Sequence, residues 1–163
     1  MSGAGTWSIA EDDHRKITEH LSALLKESQA HAALVVDRAG QLLANAGSDL
    51  KFDPTTFASL TAADFSANDQ LAKMIGEPEF GSLFHQGEKE SMYLADVARR
   101  VILVVLFDQR TTVGLVRLKV KTTVTDLTKV FEEMFGRAGQ PGAQKPAKLL
   151  EGADDEIDKL FGD

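Results

Sequence analysis

A chain of 163 residues, 43% of them hydrophobic, has enough aliphatic material for one ordinary core with short appendages. Its net charge of −7 argues against nucleic acid as a partner, because phosphates require a concentrated basic surface. The absence of cysteine removes disulfides, thiolate metal sites and a cysteine nucleophile.

The first residues lack the basic and then apolar runs of a signal peptide, and the longest apolar stretch, residues 101–107, is far too short to cross a bilayer. A soluble, cytoplasmic protein is expected. After an extension at residues 1–10, Ser8-Ile9-Ala10-Glu11 has the form of a capping box, in which Ser8 and Glu11 satisfy each other's free amides. Ile17, Leu21, Leu24, Leu25 and Ser28 then recur at helical spacing and predict a first helix over residues 11–29. Apolar runs at 32–36 and 41–44 flank Asp37-Arg38-Ala39-Gly40, a hairpin turn in which Gly40 is free to take a positive φ.

Asp53-Pro54 opens a second helix, with Asp53 as N-cap and Pro54 at the first helical position. This helix has two apolar faces. Phe57, Leu60, Ala67, Leu71, Met74 and Ile75 form one; Ala58, Ala62, Phe65 and Ala72 form the other. A sheet needs only one of them, so the second is a candidate partner surface.

Three strands, 80–85, 91–97 and 101–107, follow with turns suited to antiparallel hairpins. The last of them is an unbroken aliphatic run, the pattern of a strand buried on both faces. Beyond Asp108 two patterns compete. Residues 116–121 alternate like a strand, yet Val113, Val116, Val120, Val124, Leu127, Phe131 and Met134 step by three and four. The longer pattern predicts a final helix over about 112–135. From Gly136 the composition turns to Gly, Pro and Gln, and a flexible linker is expected at 137–153. It leads to Asp154-Asp155-Glu156-Ile157-Asp158-Lys159-Leu160-Phe161, where Ile157, Leu160 and Phe161 share one helical face opposite the acids. Residues 154–163 thus read as a docking tail for a partner groove.

Signatures of catalysis are missing from the sequence. No Gly-Lys-Ser/Thr phosphate loop occurs, so no bound nucleotide or other cofactor is expected. His14, His20, His31 and His85 have no chelating spacing, so no metal is expected either. Ser82 or Ser91 with His85 and Asp96 can be drawn as a triad, without a nucleophile elbow to support it. Arg99-Arg100 at a hairpin tip is the one arrangement with the form of an arginine finger; solubilising the turn is the ordinary role of such a pair.

The element order, together with Leu60-Thr61-Ala62, Leu71-Ala72-Lys73-Met74-Ile75-Gly76-Glu77, Phe84-His85-Gln86-Gly87-Glu88, residues 101–108 and Gly114-Leu115-Val116-Arg117-Leu118, resembles the bacterial polarity and gliding branch of the roadblock/LC7 family. The terminal Asp-Asp-x-Ile-Asp-x-Leu-Phe pattern resembles it too. The resemblance implies a domain over residues 11–136 of the α+β class. Its expected form is a five-stranded antiparallel sheet with helices on both faces, in the order α-β-β-α-β-β-β-α, assembled as a homodimer through the second helix and the 80–85 edge strand.

It further implies a non-catalytic regulator that stimulates GTP hydrolysis by a small Ras-like GTPase of the MglA type. The partner's own catalytic residues would be repositioned, and the tail would influence nucleotide exchange. Other polarity proteins and concentration at a cell pole follow from the same resemblance. On that alignment Ala62, Ser66, Ala67 and Gln70 line the GTPase-facing surface, with Ile157, Leu160 and Phe161 as a second contact. One departure stands out: where relatives carry small residues, this chain has Asp64, Phe65 and Asp69. Either the interface is retuned, or the chain is a scaffold of the same polarity module that does not activate the GTPase.

Overall fold

The computed structural model describes residues 9–138. Its elements follow as α1 (Glu11–Ser28), β1 (Ala32–Asp37), β2 (Leu42–Gly47), α2 (Pro54–Met74), β3 (Ser82–Gln86), β4 (Ser91–Val97), β5 (Val101–Phe107) and α3 (Val113–Ala138). The strands make one antiparallel sheet in the order β2-β1-β5-β4-β3. The unbroken aliphatic strand β5 lies at its centre, buried along its whole length.

Successive side chains on a strand point to opposite faces, and β5 therefore divides its residues between two cores. Val101, Leu103, Val105 and Phe107 join Ile17, Leu21 and Leu24 of α1 and Val116, Val120, Leu127 and Phe131 of α3. Ile102, Val104 and Leu106 join Ala58 and Phe65 of α2 on the other side. The first and third helices thus share one face and the second covers the other, as the sequence predicts.

The helix reading of 113–138 is correct. Leu118, which strand alternation would pair with Val116 and Val120, points outward at 58% exposure, whereas Val116 and Val120 are buried. The Thr112 hydroxyl caps the helix by accepting from Leu115 N–H at 3.2 Å. Asp53 caps α2 as expected: its carboxylate accepts from Thr56 N–H at 3.0 Å and from the Thr56 hydroxyl. These bonds, the hydroxyl first, hold the Asp53 carboxyl below the usual carboxylate range.

The capping box at Ser8 is not the start of α1. The N-cap is Ala10, in extended conformation and with no side-chain cap, while Ser8 lies outside the described residues. Ile9 is drawn instead against the larger core, so the chain is still extended where the motif would begin the helix. Glu11, Asp12 and Asp13 then place negative charge at the free amides. Strand β3 likewise begins at Ser82, two residues later than expected, because Gly81 takes φ +79° and its carbonyl accepts from Asp96 N–H.

Close approach and a positive φ together dictate glycine at two positions. A Cβ on Gly47 would sit 2.3 Å from the His31 carbonyl oxygen, and one on Gly40 would sit 3.0 Å from Ser59 Cα of α2; both residues also have positive φ.

Candidate partner-binding face

Helix α2 is apolar on both sides, and the sheet takes one of them. Ala58, Thr61, Ala62, Phe65, Asn68 and Ala72 are buried. Leu60, Leu71 and Met74 face solvent at 65%, 58% and 81% exposure, with Ile75 and Phe80 exposed just beyond the helix. Burying such side chains is worth about 1.5–3 kcal/mol each, so a continuous row of them is what a partner would cover. Phe57 leaves this row: it turns half inward onto the smaller core and packs against Phe52 with the two rings tilted and their centroids 4.6 Å apart. Next to the helix lies β3, an edge strand hydrogen-bonded only to β4 within the sheet. An open edge is a ready template for another chain.

Of the four expected interface residues on α2, Ser66, Ala67 and Gln70 are exposed. Ala62 is buried at 7% and reaches only the floor of a shallow cavity of about 320 Å³ that Ser66, Arg38 and Asp69 also line. The reason is angular: Ala62 lies one helical turn from Ala58 and Phe65, on the flank that meets the sheet. Ile157, Leu160 and Phe161, and the expected linker before them, lie outside the described residues.

The departure at the centre of α2 has a local explanation. Phe65 is 1% exposed and belongs to the smaller core, so its bulk points away from any partner. Asp69 accepts from Arg38 at 2.9 Å; Arg38 also donates to Asp96 and lies 5.0 Å over the Phe65 ring. Asp64 meets His85 Nε2 of β3 at 2.6 Å. Both acids are engaged within the chain, one tying α2 to the β1–β2 turn and the other tying it to the edge strand.

Other polar residues are equally committed. His85 stands opposite Met92 in the β3–β4 register, and Asp96 is four residues further along β4, roughly 13 Å away, so the drawn triad does not form. Arg99 pairs with Glu79 at 3.2 Å, and Arg100 lies 4.2 Å over the Phe135 ring, which gives both arginines of the hairpin tip structural partners. Sequence spacing missed one cluster. His31, Glu90 and Asp108 bring one ligand atom each to within 4.8 Å of one another. Beside it Arg110 grips both Asp108 oxygens and, through these hydrogen bonds, holds that carboxyl down at about 2.

Residues 16–107 match the model of the Roadblock/LC7 domain family. The chain belongs to that family. Among solved structures, MglB of Myxococcus xanthus is 47% identical, with a TM-score of 0.70 over 72% of this chain and 96% of its own. The gliding protein MglB of Thermus thermophilus is 30% identical, with a TM-score of 0.74 over 78% and 97%. A structure described as MglB with tetrameric arrangement scores the same, covering 78% and 96%. No curated protein sequence matches significantly. The chain is thus similar to MglB over most of its described length. Among the described residues, no helix is long and apolar enough to cross a membrane.

Proposed function

We propose that this chain is a homodimeric MglB-like regulator. It accelerates GTP hydrolysis by a small Ras-like GTPase of the MglA type in bacterial polarity and motility, and contributes no catalytic side chain of its own. The observation that carries this reading is the outer face of α2. A row of exposed Leu60, Leu71 and Met74 adjoins the open β3 edge and supports pairing with a second copy. Ser66, Ala67 and Gln70 are exposed on the same helix, where small side chains permit close approach of a GTPase. The engagement of Asp64, Phe65 and Asp69 within the chain favours a functional interface over one blocked by bulk and charge.

On this reading residues 11–136 are the binding module, and the tail at 154–163 reaches a second site on the same partner through residues 137–153. That tail contact would modulate nucleotide exchange, and polar enrichment of the protein would follow from its partners. The test is GTP turnover by the cognate GTPase with and without saturating protein. Turnover should rise, and Ser66→Arg or Gln70→Arg should abolish the rise without dissociating the dimer, because a long cation blocks close approach. A tight complex with unchanged turnover would establish the scaffold instead. Activation that survives both substitutions would move the partner to another face.

A further inference from the structure

Three adjacent strands end together beneath the β3–β4 turn, and each supplies one metal-type donor there. His31 immediately precedes β1, Asp108 follows β5, and Glu90 precedes β4; these strands neighbour one another in the order β1-β5-β4. The register brings the strand ends close together. Ala32 stands opposite Leu106 and Ser91 opposite Phe107, so Glu90 extends the β4–β5 pairing to Asp108, while His31 lies one position further in, level with Phe107. The His31 ring is oriented from behind, its Nδ1 at 3.1 Å from Ser48 Oγ, and Ser48 N–H in turn donates to the His31 carbonyl. Gly47, which admits no Cβ, is what lets this loop lie so close. Its Nε2 meets Glu90 Oε1 at 2.6 Å: in the tautomer with the proton on Nε2 this is a hydrogen bond to the carboxylate, and in the other the Nε2 lone pair points to the same place.

We infer that His31, Glu90 and Asp108 form a half-open binding site for a borderline divalent transition ion, zinc in the first instance. One imidazole with two carboxylates suits zinc better than magnesium or calcium, which prefer all-oxygen shells. Tetrahedral zinc at about 2.0–2.2 Å from each donor sets them about 3.3 Å apart, a small adjustment of the present arrangement. Glu90, whose side chain is 60% exposed, is free to make that adjustment. The two carboxylates outweigh the single Arg110 guanidinium, so the site keeps a net negative charge. Three protein donors leave a position open for water or for a partner's ligand. A bound ion would clamp β1, β4, β5 and the loop at Ser48.

The full-length protein is titrated with cobalt(II), read by its visible absorption, and with zinc(II) by calorimetry. One equivalent should bind. His31→Asn and Glu90→Gln should each weaken binding roughly tenfold or more. Arg110→Gln should tighten it by releasing Asp108, while His85→Gln should leave it unchanged. Glu90 is exposed, so its variant keeps the test valid if His31→Asn fails to fold. No saturable binding up to about millimolar metal, undiminished affinity in Glu90→Gln, or weaker binding in Arg110→Gln would each overturn the site.

Discussion

The two faces of the sheet are finished to different degrees. On one, α1 and α3 pack on each other and on the odd-numbered side chains of β5, and the largest apolar residues there are wholly buried. A polar latch, Arg137 on the buried carboxylate of Asp13, ties the two helices at their ends. On the other, α2 alone covers a smaller core with small side chains, Phe65 and the half-buried Phe57, then turns Leu60, Leu71 and Met74 to solvent. A helix that spends as many large side chains outside as inside is held by a second surface as well as the first. The α1/α3 face is closed by the fold itself; the α2 face is left open, and it is there that the proposed second copy and partner would bind.

The sharpest way to break this contrast is at its two extremes. Phe131→Ala, in the larger core with no exposed surface, should cost about 3–5 kcal/mol in urea unfolding at fixed protein concentration. A cost near zero would mean that this face is not the closed one. Leu71→Asp combined with Met74→Asp should leave the circular dichroism spectrum intact and weaken self-association by roughly tenfold or more in light scattering. Loss of fold in that variant would show that the row is already covered within the protomer. Arg38→Ala should destabilise by about 1–2 kcal/mol, since Asp69 and Asp96 lose a shared donor that is only partly screened from water. Arg38→Lys should restore only part of this, because an ammonium lacks the fork that serves two carboxylates.

The smallest effect belongs to Asp53→Ala, which should lower the melting temperature by a few degrees through loss of the α2 cap. Its pH dependence has a defined sign. The Asp53 carboxyl is depressed in the folded chain, so its contribution is present above the ordinary carboxylate range and is lost as pH falls through the folded value. Wild type and variant should therefore begin to converge in thermal melts only below about pH 4 and meet below the depressed folded value. Curves that stay parallel to lower pH would assign the cap's effect to something other than charge.

Local pattern made much of this molecule legible. The N-cap of α2, the turn at Gly40 and the unbroken run of β5 are decided within a few residues, and each falls where the local pattern puts it. At 113–138, helical spacing sustained over the segment outweighs the short alternation around Leu118. The capping box at Ser8 was misleading because its competitor is tertiary, the packing of Ile9 on the larger core. The pairings of Asp69 with Arg38 and of Asp64 with His85 bridge 31 and 21 positions, so no window along the chain contains both partners. The His31 cluster is hidden for the same reason, since its donors come from the ends of three strands that are neighbours in the sheet and far apart in sequence.

Arg100 over the Phe135 ring has a mechanical side. That contact grips the last turns of α3 against the β4–β5 turn, while Arg137 grips them against the first turn of α1. The last described turns of α3 are therefore pinned at two points, both on the α1/α3 side of the sheet and neither on the α2 face. Arg100→Ala would release one pin and keep the other, so the end of α3 would pivot where it is now clamped.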